Sequence, residues 1–111
     1  MITTEGVNKI ILIGHLGNEP ETRRMPNGTA VTTLRLATTE RPRAAGKEPH
    51  TEWHRVVFIG DLGEVAGETL EKGSHIYVEG SLRTRTWQKF GQTHYQTEVI
   101  GRDLLVLGAT P

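Results

Sequence analysis

The sequence predicts an all-β domain: a five-stranded Greek-key barrel with one α-helix between its third and fourth strands. Three observations carry that expectation. Short apolar or alternating runs are separated by glycine-bearing turns, one stretch from Asp61 has helical spacing, and a long late strand turns back at Phe90-Gly91-Gln92. With 111 residues and no internal repeat, the chain reads as one domain over residues 1–108, with 109–111 a terminal stub.

Residues 7–16 form the first expected strand, because Ile10-Ile11-Leu12-Ile13 is short, β-branched and suited to burial on both faces. Met25-Pro26-Asn27-Gly28 is a turn, where proline fixes φ and Asn-Gly tolerates positive φ. Residues 29–39 alternate as a second strand. Residues 40–50, rich in arginine, proline and glycine, read as a long basic-leaning loop, and loops of that length in compact domains commonly carry function. A third strand spans 51–59.

Residues 61–72 read as the helix, with Leu62, Val65, Ala66, Thr69 and Leu70 at helical spacing. Asp61 is the expected N-cap with Glu64 three residues on, and Gly73 the left-handed stop. Residues 74–90 give a fourth strand, continuous or bent at Gly80, with 93–100 as its hairpin partner and 102–107 a last short strand. This order suits the OB-fold. A small β-sandwich is the alternative, though it gives no natural seat to a lone helix before the fourth strand.

Composition narrows the chemistry. The 13 basic and 13 acidic residues balance, so attraction to a polyanion must come from charge segregation within the fold. That segregation is visible: residues 61–71 carry Asp61, Glu64, Glu68 and Glu71, whereas 81–97 carry Arg83, Arg85 and Lys89 with no carboxylate. The absence of cysteine removes disulfides and thiolate chemistry and fits a reducing, cytoplasmic compartment. No signal-peptide pattern opens the chain, and no apolar run approaches the roughly 18 residues of a membrane helix.

Catalytic patterns are missing. His50 and His54 are four apart but straddle a loop and a strand, so no metal site is expected. Ser74 and Ser81 sit in no nucleophile elbow, and residues 67–73 lack phosphate-loop spacing. Neither an enzyme nor a cofactor is expected.

The informative pattern is arginine interleaved with tryptophan. Strand alternation places Arg83, Arg85, Trp87 and Lys89 on one face, and Trp53, Arg55, Val57 and Ile59 on one face of the third strand. Both faces of that strand carry apolar residues, so alternation alone leaves its outward side open, and burial of either tryptophan is the competing reading. Cations for phosphates beside rings for bases are the chemistry of single-stranded nucleic-acid binding. Phe90, at the hairpin tip, is a further stacking candidate, and Phe58 reads as core.

In this order and spacing, Gly6-Val-Asn-Lys-Ile-Ile-Leu-Ile-Gly14, Met25-Pro-Asn-Gly28, Thr51-Glu-Trp-His-Arg-Val-Val57, Tyr77-Val-Glu-Gly80, Leu82-Arg-Thr-Arg85 with Trp87, and Thr97-Glu-Val99 resemble the bacterial single-stranded DNA-binding proteins over nearly the whole chain. The resemblance implies an OB-fold homotetramer, a dimer of dimers, that coats unpaired DNA in replication, recombination and repair, in the cytoplasm at the nucleoid. It implies stacking by Trp53 and Trp87 and backbone contacts by Arg55, Arg83, Arg85 and Lys72. Arg41 and Arg43, in the basic loop, join the expected binding set. Asn8, Ile10, Leu12, His54 and Tyr77 match subunit-contact positions.

The chain departs from the family's usual aromatics at Arg24, at Ile59 and at Arg41-Pro42-Arg43, which implies binding shifted toward electrostatics. The acidic tip that recruits other enzymes in the family is not among these residues, so recruitment is assigned to none of them. An OB-fold assembly module of a primosome or plasmid system, working through protein contacts, is the rival reading.

Overall fold

The computed structural model describes residues 5–108; the expected terminal stub and the first four residues lie outside that range. Six strands and one helix follow in the order β1 (Ile10–Leu16), β2 (Glu21–Arg24), β3 (Ala30–Glu40), β4 (His50–Ile59), α1 (Asp61–Thr69), β5 (His75–Lys89) and β6 (Gln92–Gly108). The sheet runs β1-β5-β6-β4-β3-β2, and a β1–β3 pairing closes β1, β5, β6, β4 and β3 into a five-stranded ring. All pairings are antiparallel except β4 with β6, where Val56 meets Val99 and Val57 meets Ile100. This is the OB barrel, with α1 after its third ring strand.

The side-chain period of two fills the barrel. Leu34, Leu36, Val56, Phe58, Ile76 and Val78 are fully buried, and Ala66 and Leu70 close one end. Thr32 is a fully buried polar member of the interior. Its hydroxyl donates to the Gly63 carbonyl at 2.6 Å and lies 2.8 Å from the Thr22 hydroxyl, tying α1 and β2 to β3.

Several expectations are corrected. β2 was not foreseen; every residue of Glu21–Arg24 is exposed, so no hydrophobic alternation marks it, and pairing to β3 alone makes it a strand. The helix ends at Thr69, and its N-cap is Gly60 at φ 80° with no side-chain cap, so Asp61 is its first residue. Gly73 does adopt positive φ, but in the turn where the Ser74 amide donates to Glu71, beyond the helix. The hairpin partner and the last short strand are one strand, β6. β5 is likewise continuous, with a register shift at Glu79/Gly80, where a Cβ on Gly80 would stand 2.1 Å from the Ile100 carbonyl oxygen. β1 is not buried on both faces: Leu12 lies in the core while Ile11 and Ile13 are each 53% exposed.

Candidate nucleic-acid interface

The inward face of β4 carries Val56 and Phe58, so alternation sends Trp53, Arg55, Val57 and Ile59 to the opposite side. On that side a groove of about 460 Å³ is lined by Arg55, Val57 and Ile59, by Arg83 and Arg85 of β5, by Glu98 and Ile100 of β6, and by Glu21, Arg23, Met25, Val31 and Thr33. The two arginine–tryptophan strands therefore meet across one surface, because β6 lies between them in the sheet.

Trp53 is 50% exposed and Trp87 42%, which decides against burial for either ring. The Arg35 guanidinium carbon stands 5.5 Å from the Trp53 ring centroid, a cation–π approach. Trp87 stacks on His94 across the hairpin, with centroids 5.5 Å apart and planes at 18°. At the tip, Phe90 (φ 51°) and Gly91 (φ 75°) form a two-residue turn between Lys89 and Gln92, which leaves the Phe90 ring 94% exposed. The Lys89 ammonium lies 5.7 Å from that ring.

The charges on this face are partly compensated from within. Glu98, only 5% exposed, accepts Nε hydrogen bonds from both Arg55 and Arg85 at 3.0 Å each. A basic face without a carboxylate was expected from residues 81–97, and Glu98, the next residue along, corrects that. Arg35 lies directly opposite Arg55, and like charges at that register are tolerable because Arg35 lies over Trp53 while Arg55 pairs with Glu98. Among the described residues, Arg83 and Arg23 have no ion-pair partner.

Arg24 belongs elsewhere. It makes a bidentate pair with Glu64 of α1, and that hydrogen bond holds the Glu64 carboxyl below the usual glutamate range.

Other expected residues lie outside the groove lining. Arg41 and Arg43 are in the exposed β3–β4 loop, and Lys72 is in the turn before β5, where its amide donates to Glu19. Asn8 ties the segment before β1 to β5, donating to the Leu82 carbonyl and accepting its amide, both at 2.8 Å. His54 is half-buried with Nε2 2.9 Å from the Thr38 hydroxyl. Ile10 and Leu12 pack on the core, so β1 presents Ile11 and Ile13 outward instead. Tyr77 is half-buried and donates to Glu79 at 3.2 Å.

Sequence reasoning passed over Arg23, Arg35, His94 and Glu98. Arg35 was discoverable, since the alternation of residues 29–39 puts it on the face opposite Leu34 and Leu36. No His, Asp and Glu cluster able to hold a metal occurs among the described residues, and no described helix is long and apolar enough to cross a membrane.

A closed OB barrel with exposed tryptophans and partly compensated arginines on one sheet face defines a binding domain for flexible polyanions with stackable bases. The Single-strand binding protein family matches residues 7–107, and the chain belongs to that family, whose members are non-enzymatic. Among solved structures, the chain is similar to that of the Plasmodium falciparum SSB complex with ssDNA. The TM-score is 0.85 at 36% identity, covering 96% of this chain and 100% of that one.

Proposed function

We propose that this protein binds single-stranded DNA without sequence preference, coating and protecting unpaired strands in replication, recombination and repair. The observation that carries the reading is the meeting of Arg55 on β4 with Arg83 and Arg85 on β5 in one groove, with the exposed rings of Trp53 and Trp87 two residues along from Arg55 and Arg85 on the same strands. Every base has a π-face, so the rings stack on any sequence, while the guanidiniums meet the repeating phosphate. Preference for the unpaired form melts hairpins by mass action.

A homotetramer is part of the same proposal. The outer face of β1, β5 and β6 exposes Ile11, Ile13 and Leu105 around Tyr77, an apolar surface suited to burial against another copy.

Titration with oligo(dT) tests the binding. Strong quenching of tryptophan emission by oligo(dT), with duplex DNA nearly without effect, is expected. Unchanged emission under saturating oligo(dT) at low salt would overturn it and favour the assembly-module reading.

A further inference from the structure

Glu98 is a near-buried carboxylate on the floor of a groove that has to attract phosphates. Counted as charge alone it opposes binding, since it cancels one of the arginines beside it. Its geometry suggests another use. Oε2 accepts from Arg55 Nε and Oε1 from Arg85 Nε, both at 3.0 Å, while the Glu98 side chain is 5% exposed and the arginines 37% and 50%. Only the Nε edge of each guanidinium is engaged, so both Nη groups lack a partner among the described residues.

The position of Glu98 follows from register. β6 runs between β4 and β5, Val57 meets Ile100, and Arg83 lies directly opposite Glu98. The carboxylate thereby spans the two strands that carry the rings: Trp53 stands two residues before Arg55, and Trp87 two residues after Arg85.

We propose that Glu98 is a positioning residue for single-stranded DNA. It clasps Arg55 and Arg85 by their Nε groups, fixes the two arginine–tryptophan strands relative to each other, and leaves both Nη edges available to phosphates. An arginine already held loses less side-chain entropy when a phosphate arrives, and this outweighs the charge that Glu98 cancels. The proposal rests on the single-stranded DNA reading above.

Two variants separate positioning from charge. Glu98→Gln removes one negative charge from the groove, whereas Glu98→Asp keeps the charge and shortens the reach by one methylene. Affinity for labelled oligo(dT) is measured by anisotropy at several salt concentrations, alongside thermal melts. Both variants are expected to bind roughly tenfold more weakly than the unmodified chain, the size of a lost coupling between neighbouring groups. The salt slope is expected to be no steeper.

Tighter binding by Glu98→Gln with a steeper slope, or unchanged affinity in either variant, overturns the proposal. In an Arg55→Gln/Arg85→Gln background, Glu98→Gln should cause no further loss of affinity, and a further loss there also overturns it. Where Glu98→Gln fails to fold, the charge-matched aspartate variant decides. Failure of the unmodified chain to bind oligo(dT) would instead remove the underlying reading, so the two failures are distinguishable.

Discussion

Trp53 lies against the backbone of Gly17: a Cβ at residue 17 would stand 2.2 Å from Trp53 Cζ3 and 2.6 Å from Cη2. The indole is thus seated on the turn that follows β1, with the Arg35 guanidinium near its ring. A glycine in a turn reads in sequence as a backbone requirement, whereas here the requirement is room for a neighbour's side chain. Gly17→Ala should push the ring out of its seat while leaving the barrel folded. The expected outcome is a shifted tryptophan emission and oligo(dT) affinity reduced by up to the stacking contribution, about 1–3 kcal/mol. Emission and affinity both unchanged would show that the seat does not matter.

Trp87 meets the solvent differently, because His94 stacks on one side of its ring and only the other side is open to a base. Trp87→Ala should weaken oligo(dT) binding by about 1–3 kcal/mol. Trp87→Phe, which retains a π-face, should recover a large part of that loss. Equal losses in both variants would mean the indole acts through something other than stacking.

The barrel was legible wherever one face of a strand is buried, since the alternation that fills the core is the alternation visible in residues 30–36 or 75–79. β2 carried no such mark, because Glu21–Arg24 buries nothing and is fixed by its partner strand. Glu98 was hidden by turn length. With Phe90 and Gly91 as a two-residue turn, Lys89 pairs with Gln92, and six residues down each arm Arg83 pairs with Glu98. A three-residue turn shifts that register and conceals the acid. Burial on both faces was expected of β1, yet Ile11 and Ile13 are exposed in the single chain, since composition does not distinguish a core from a surface awaiting a partner.

Salt dependence should separate the arginines. Each phosphate neutralised on a single strand contributes about −0.7 to the slope of log K against log salt. Arg83 lines the groove and has no ion-pair partner among the described residues, so Arg83→Ala should flatten the slope by about 0.7 and weaken binding to all sequences alike. Arg24, though also a cation close by in sequence to the groove residues Arg23 and Met25, is held by Glu64. Arg24→Ala should leave the slope unchanged. A flattened slope in the Arg24 variant would place that side chain on the DNA.

The same Arg24–Glu64 pair gives a pH dependence with a definite sign. Hydrogen bonding to Arg24 holds Glu64 below the ordinary range, so the folded state binds its proton less readily than the unfolded state does. Its contribution to stability is therefore complete above the ordinary glutamate value of about 4.3 and is lost as the pH falls through the lowered one. Glu79 behaves alike, lowered chiefly by the Lys9 hydrogen bond and then by Asp103. At pH 7, Glu64→Gln should melt slightly below the unmodified chain, and the gap should close as both are acidified. Because the pair is largely exposed, with side chains 55% and 38% accessible, the gap should also shrink in high salt. A gap that widens toward low pH would contradict this assignment.

The outer face of β1 offers the last test. Ile13 pairs with Tyr77, which pairs with Leu105, so three strands contribute one side chain each to a continuous apolar strip, with Ile11 beside it. Lys9 and Glu79 stand next to this strip as an ion pair at 3.3 Å, with Asp103 opposite Glu79 on β6. Ile11 and Ile13 are 53% exposed and Leu105 59%, so a charge placed among them leaves the barrel interior untouched. In the proposed homotetramer the same charge would be buried without a partner, at several kcal/mol. Ile13→Glu should therefore fold with a normal far-ultraviolet spectrum yet elute as a smaller species by light scattering than the unmodified chain at micromolar concentration. An assembly of unchanged mass would place the subunit contacts on another face, and a monomeric unmodified chain would remove the tetramer.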